Sequence, residues 1–574
     1  MPVCRFGAFS APDSRSRRFG GLPPAGAAGA PGRATPMAPS RPFRIPRRNP
    51  LLAPLLVLTA AIGLPAMVPA RAQPAEEARI ALQTETSSLD PHFALVGANQ
   101  AIAQHIFDPL IGSDSNMRPV PGLATVSNPQ PDVWEFRIRD GATFQDGSPV
   151  TAEDVRASLE RMPKVPNSPA PFIRMQAAVT SMEVVDERTI RLHSRGADPA
   201  VVLNAMTAYV IPARIAKEAS TADFNSGRAA IGSGPWRFVS WQPGAQLVLE
   251  RNDRYWGEKP AFRRVTIRPI ASDAARMAAL LAGDVDLIDN VPPGDVARLR
   301  GNREIGITAS PSARLIYLAL DQAGETTPFA TDKDGRPLPR NPLRDARVRQ
   351  ALSLAINRAL IVDRVLQGSG RPAGQLAVEG QVGYDPQLAA PAFDAATAKR
   401  LLAEAGYPDG FRLTLHSPNN RYVEDDKTAQ AVAQFWNRIG IDARVEVMPS
   451  NVFFTRAGKR EFSAFLIGFG HTTGDSWLGL SQVLHSYDGK GYGGLNRGRY
   501  SNPSFDALID QARTVPDVEH RGALLRQAQE IAFRQDAAIL PLHVPNNVWA
   551  HRAGLTYEGG LEENTLAQHL HPKP

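Results

Sequence analysis

Residues 133–155 constrain this chain more than any other stretch. Trp134, Phe136 and Ile138 alternate with Glu135, Arg137 and Arg139, the period of a half-buried strand. Asp140-Gly141 and Asp146-Gly147 are turn dipeptides. Thr151 followed by Asp154 opens a helix with a capping box, and Val155, Leu159 and Met162 then share one helical face. Strand, turn, short polar hairpin and capped helix follow in 23 residues, which predicts an ordered α/β domain and leaves little room for disorder.

The rest of the chain extends that reading. Ala78 to Gln83 reads as a strand, left by the loop Thr84 to Pro91, and Ala101 to Phe107 as a helix. Arg264 to Pro269, Ala274 to Leu281 closed by Gly283, and Asp284 to Ile288 give a strand–helix–strand rhythm. After a polar loop from Gly324 to Pro342, Val348, Ala351, Leu352, Ala355 and Ile356 line one face of a helix, with Asn357 placed to cap the next. Phe411 to Leu415 is a strand; Val432, Phe435, Trp436 and Ile439 line a helix ended by Gly440; Ala538 to Val544 is a late buried strand. At 574 residues the chain is long enough for two lobes.

Net charge excludes a polyanion-binding body. The chain carries +7, but residues 1–72 hold ten Arg, no Lys and one Asp, a charge of +9 that leaves −2 to the remainder. The body therefore has no global attraction for nucleic acid. The basic excess belongs to a leader. Arg41, Arg44, Arg47 and Arg48 precede an apolar run from Leu51 to Met67, and Ala70-Arg71-Ala72 has the form of a cleavage site, which predicts a secretory signal at 37–72 and a mature start at Gln73. Residues 1–36 read as an over-called extension before Met37. The sole cysteine is Cys4, so the exported body rests on its core and not on disulfides.

Spelled W-x-F-x-I-R-x-G-x-x-F-x-D-G-x-P-x-T-A-E-D-V, residues 134–155 closely resemble the solute-binding proteins that deliver peptides, nickel and related solutes to ABC importers, family 5. Five further motifs follow in the family's order. They are Gly232 to Trp236, Arg251 to Gly257, Asp345 to Arg358 (with Asn357 where the family has Asp), and the pair Leu401 to Phe411 and Tyr500 to Ile509. The resemblance spans about 78–545. It implies an α/β, two-lobed periplasmic-binding-protein fold with the ligand cleft between the lobes and the first lobe discontinuous in sequence. The expected division is lobe I with an extra subdomain at 73–312, lobe II at 313–530, and a return to lobe I with the tail at 531–574. It implies a periplasmic, monomeric receptor that hands a peptide or peptide-like solute to an ABC permease and ATPase complex, without cofactor and without chemistry. A secreted peptide hydrolase, or a receptor-fold chaperone or sensor partner, are the rival readings.

Ligand-reading residues in such a fold lie on loops at strand ends. Three loops qualify. The first carries Ser87 and Ser88. The second, Asn419-Asn420-Arg421, follows a strand, and Arg421 is suited to clamp a carboxylate with two parallel hydrogen bonds; a solvated turn and helix cap is the plain alternative. The third, Gly468 to Trp477, carries Phe469, Thr473, Asp475 and Trp477. Peptide-binding members often place an Asp three residues after an aromatic here; this chain has Thr472 at that offset from Phe469, and its T-G-D run is similar to the glutathione-binding branch. Asp475 is expected to hold a ligand ammonium, or else to cap the helix that follows.

Catalytic constellations are missing from the sequence. Gly474 to Leu478 does not complete G-x-S-x-G. Gly489 to Gly494 satisfies G-x-G-x-x-G but leads into no helix. His569 and His571 in the tail read as solvent-exposed and not as metal ligands, so the catalytic and metal sets are both empty.

Overall fold

The computed structural model describes residues 76–573, apart from 170, 171, 173, 174, 176, 177 and 490. The readings of 1–36 as an extension and 37–72 as a signal lie outside the described residues.

One strand organises the molecule. Leu540–Arg552 is 13 residues long and belongs to two sheets in succession. Its first half pairs antiparallel with Arg314–Leu320, Ile316 opposite His543 and Leu318 opposite Leu540, and with Gly370–Pro372. Its second half pairs antiparallel with Ile305–Pro311, from Asn546 opposite Pro311 to Arg552 opposite Ile305, and with Leu287–Ile288. Pro545 sits at the changeover. It has no N–H to donate to either ladder, and its carbonyl accepts from Ser312 N at 3.1 Å. Ser312 and Ala313 are the only residues between the two partner strands, so the chain crosses from sheet to sheet twice, side by side.

The sheet on one side of this crossing contains Leu287–Ile288, Glu77–Leu82, Arg264–Pro269, Gln246–Arg251 and Trp236–Gln242, in that order. Glu77–Leu82 is parallel to Arg264–Pro269, with Ile80 opposite Ile267. On the other side, Arg314–Leu320 lies against Ala464–Gly470, which neighbours Arg412–Pro418 and, through it, Asp442–Met448. Arg314–Leu320 reads R-L-I-Y-L-A-L because both of its faces are covered: Leu315 and Tyr317 pack in one core, Ile316, Leu318 and Leu320 in another. This is the α/β, two-lobed architecture, with the first lobe built from sequence-distant segments.

The 133–155 block forms an edge of the first lobe. Val133–Ile138 is the second strand of a separate four-stranded antiparallel sheet with Ala124–Gln130, Thr189–Ser194 and Val179–Val184. Trp134, Phe136 and Ile138 are buried. The capping box forms: Thr151 N donates to Asp154 Oδ2 at 2.8 Å and Asp154 N to Thr151 Oγ1 at 3.4 Å, opening the helix Ala152–Arg161.

Gln145 then ties the motifs together. Its Nε2 donates to the carbonyls of Ile106, Gly234 and Trp236 at 3.0, 3.2 and 2.8 Å. Gly232 and Gly234 are needed because a Cβ on either would lie 2.0 or 2.8 Å from the Ile106 carbonyl oxygen. The R-N-D-R-Y-W-G run closes the same knot. Arg254 donates to the Gln145 carbonyl, Asn252 to that of Gly234, and Tyr255 and Trp256 to the buried Asp108 carboxylate.

Replacing Gln145 by Leu removes the Nε2 donor to the Trp236 carbonyl and the Oε1 acceptor of Gly232 N, while the Ile106 and Gly234 carbonyls keep Gly234 N and Asn252 Nδ2. At about 1–3 kcal/mol for each buried group left unsatisfied, urea unfolding is expected to show a loss of at least about 2 kcal/mol. An unchanged midpoint would mean that these two groups reach other partners.

Candidate functional site

The strands Arg412–Pro418, Asp442–Met448 and Ala464–Gly470 all end at one rim of the second sheet, where Arg314 begins its strand opposite Gly470. Three segments meet there: loop 419–424, loop 471–476, and the tail loop 558–566 that follows the shared strand back into the first lobe. Glu77–Leu82 leads into loop 83–89 on the first-lobe side. The rim of the second sheet is the candidate site.

Loop 419–424 is held by Asp425, whose Oδ2 accepts from Arg421 N and Tyr422 N, each at 3.0 Å. Asn420 Oδ1 accepts from Ser450 N at 2.9 Å, and Asn419 N donates to the Met448 carbonyl at 3.1 Å. These bonds fix the loop and leave the Arg421 side chain exposed. Its guanidinium lies 5.2 Å from the centroid of the Tyr422 ring, and Tyr422 OH donates to the Gly468 carbonyl at 3.3 Å. Burial by the surrounding walls, then the charge of Arg314, push the Arg421 pKa below its usual value.

The other expected residues divide. Ser88 is buried, and its hydroxyl donates to Asn225 Oδ1 at 2.8 Å; Ser87 is exposed and donates to Asn99 Oδ1 at 3.1 Å. Both hydroxyls hold their own loop in shape. Phe469 is half-buried, packed edge-on against His471 at 5.0 Å. Thr473 is buried, with Oγ1 donating to the Asp475 carbonyl at 3.2 Å. Trp477 starts the helix Trp477–Val483 and donates its indole N–H to the Ile509 carbonyl at 3.0 Å.

Asp475 is engaged internally. It is 2% exposed; its Oδ2 accepts from Arg521 Nε at 2.8 Å and its Oδ1 from Trp477 N at 2.8 Å. The partner expected of a ligand ammonium is supplied by a guanidinium 46 residues onward. The Trp477 bond closes a turn at the entry to the helix, whose N-cap position is Ser476, with no side-chain capping bond. Removing one member of a buried ion pair costs about 3–5 kcal/mol because the other charge stays buried. Asp475→Ala is therefore expected to lower the melting temperature strongly, and Asp475→Ala with Arg521→Met to recover part of the loss. Equal stability of the single variant and the parent in a thermal melt would contradict this.

Sequence reasoning missed Arg314 and Glu563. Arg314 Nε donates to Glu563 Oε1 at 2.7 Å and Nη2 to Oε2 at 2.6 Å. Burial pushes the Glu563 carboxyl up, and Arg314 and Arg421 more than offset this, holding it below its usual value. The available signal was the charge opening an otherwise apolar strand. His569 also departs from expectation: it is half-buried, its ring 6.4 Å from that of Tyr557. Among the described residues, no group of three His, Cys, Asp or Glu is placed to hold a metal ion.

Among the buried histidines of the described residues, four have their pKa pushed far down. Burial pushes His92, His105 and His471 down from 6.5 to about 4, and His543 down to about 3. The folded values lie below the unfolded one, so protons bind the unfolded chain preferentially. Stability is complete above pH 6.5 and is lost as pH falls from 6.5 towards 4, on the order of 2–3 kcal/mol for each histidine. Urea midpoints at pH 7.5, 6 and 5 check this, and a flat profile would contradict it.

Two sheets threaded by one strand, with a cleft at their strand exits, define a two-lobed binding protein. The chain belongs to the bacterial extracellular solute-binding proteins of family 5: the model for the family 5 Middle region matches residues 118–491. It is similar to the glutathione-binding protein GsiB of Salmonella paratyphi A, 28% identical over 513 residues covering 87% of this chain and 94% of that protein. Its fold matches the periplasmic binding protein DppA of Helicobacter pylori in complex with the peptide STSA, with a TM-score of 0.71 and 23% identity over 87% of this chain and 98% of that one. It matches the ABC transporter substrate-binding protein CtaP of Listeria monocytogenes with a TM-score of 0.74 and 23% identity, over 87% of this chain and 100% of that one.

Proposed function

We propose that this protein is the periplasmic receptor of an ABC importer for peptides or peptide-like solutes, exported by a cleaved signal, acting as a monomer and passing its ligand unchanged to a membrane permease and ATPase. The observation that carries the ligand class is Arg421. It is a guanidinium stacked near Tyr422 at a strand exit, in the cleft, with no carboxylate among the described residues at ion-pair distance. A forked cation at a strand exit suits the carboxylate end of a peptide. Tyr422 and the half-buried Phe469 offer apolar faces beside it. Family membership, and relatives whose names record peptides and glutathione, favour the same class.

In this reading, Asn419, Asn420, Ser87 and Ser88 shape the cleft loops, and Asp475, Thr473 and Trp477 support loop 471–476 from behind. The lobes meet where the chain crosses between the sheets. One lobe takes residues up to 311 and from 546 onward, and the other takes 314–545. The hydrolase rival lacks an observation in its favour: among the described residues, the charged groups at these strand exits are the Arg314–Glu563 pair, Arg421 and the loop-holding Asp425.

Calorimetric titration with a panel of dipeptides as free acids and as C-terminal amides tests the reading. The free acids are expected to bind, the amides at least about tenfold more weakly, and Arg421→Ala to remove the difference, by analogy with truncated charge pairs. Binding of amides and acids alike would remove the carboxylate clamp. No binding by any peptide, with another solute co-purifying in native mass spectrometry, would replace the ligand class.

A further inference from the structure

Two guanidinium groups flank one aromatic ring in the cleft, and only one of them has a resident anion. The Arg421 guanidinium lies 5.2 Å from the Tyr422 ring centroid and that of Arg314 lies 5.8 Å from it. Arg314 holds Glu563 with a two-pronged pair, Nε to Oε1 at 2.7 Å and Nη2 to Oε2 at 2.6 Å. Arg421 has no such partner among the described residues.

The arrangement is made possible by Gly468-Phe469-Gly470. A Cβ on Gly470 would lie 2.8 Å from Arg314 Nη2, and a Cβ on Gly468 would lie 2.8 Å from Tyr422 Cε1. The two glycines clear the strand surface so that the cation and the ring can lie against it. The intervening Phe469 turns to the other face, beside His471.

Glu563 reaches this point from a different part of the fold. Arg314 begins the central strand of the second lobe, whereas Glu563 belongs to the tail loop, 249 residues away in the chain. Its side chain is 41% exposed, against 16% for Arg314. It is thus an anion presented at the cleft surface, in the position a ligand anion would take on Arg314.

Resting on the reading of the cleft as the ligand site, we propose that Arg314, Arg421 and Tyr422 form a two-cation anion subsite that Glu563 half fills, making Glu563 a specificity determinant. One ligand carboxylate on Arg421 then gives each guanidinium a carboxylate in direct contact, since Asp425 is spent on the N–H groups of Arg421, Tyr422 and Asp426. A second anionic group brought to the same end would face Glu563 and be repelled, a selection by like charge. The ligand class that fits is a solute presenting a single carboxylate to this end of the cleft. The alternative is that Glu563 only fastens the tail loop.

Two probes separate these readings in the purified full chain, sodium acetate as a monoanion and sodium sulfate as a dianion, titrated in thermal melts at fixed ionic strength against chloride. The wild-type protein is expected to be stabilised by acetate, and Arg421→Ala to lose that response. Glu563→Gln is expected to bind sulfate at least about tenfold more tightly than wild type, a gain that Glu563→Asp does not show and that adding Arg421→Ala removes. A tail-loop tie alone predicts a lower melting temperature for Glu563→Gln in every salt, with no gain in sulfate response; that result overturns the proposal. The acetate arm needs no change at Glu563, so it decides the matter even where Glu563→Gln does not fold: a wild-type protein indifferent to acetate, or an Arg421→Ala variant that still responds, overturns it as well. Peptide titrations read the ligand class separately, since both anions report on the subsite whether or not a peptide binds.

Discussion

The strand Leu540–Arg552 is the constraint on which the other elements depend. Each half completes a sheet that its lobe cannot complete alone, and the backbone groups of both sheets are satisfied across it. Its approach is fixed by two buried arginines from the D-x-R-V-R-Q-A-L-x-x-A-I-N-R motif. Arg349 donates to the carbonyls of Asp536 and Ala537, and Arg358 to that of Pro541. The Arg349 guanidinium is spent on main-chain oxygens and that of Arg358 on main-chain oxygens and the Ser353 hydroxyl, where a planar donor fork binds more than one acceptor at once. The cleft inherits its position from this arrangement, because Arg314 stands just beyond the crossing and loop 558–566 just after it.

The motifs that run through the chain are, on this view, mostly about backbone approach. Gly232 and Gly234 let the turn press on the Ile106 carbonyl, and Gln145 donates to that carbonyl. Gly468 and Gly470 do the equivalent at the cleft for a ring and a cation. The shape of loop 419–424 is in turn set by the buried carboxylate of Asp425.

What could be read from the sequence was what is decided locally. The alternation of Trp134, Phe136 and Ile138, the Thr151–Asp154 capping box, and the stops at Gly283 and Gly440 all depend on residues within a few positions of one another, and all appear in the structure. The late strand was legible only to Val544, because Pro545-Asn546-Asn547 has the composition of a turn; the chain continues extended there because a second sheet is waiting on the other side. Asp475 carried a local hint of a cap and none of its buried partner Arg521. The Arg314–Glu563 pair joins residues with no shared periodicity or motif, so only the fold reveals it. Ser87 and Ser88 were found by loop position, but their hydroxyls turn inward to Asn99 and Asn225.

The late position of the shared strand also bears on how the molecule comes into being. Its residues are among the last 35 of 574, yet they supply a strand to both sheets. Neither lobe can finish its sheet until Leu540–Arg552 is present, and the contacts that close the first lobe span more than 200 residues of chain, Ile305 meeting Arg552 and Leu287 meeting His551. Such long loop closures are slow relative to local structure. A growing chain would hold its helices and hairpins early and its two-lobed form only at the end, which keeps the unfinished protein threadable for as long as synthesis lasts.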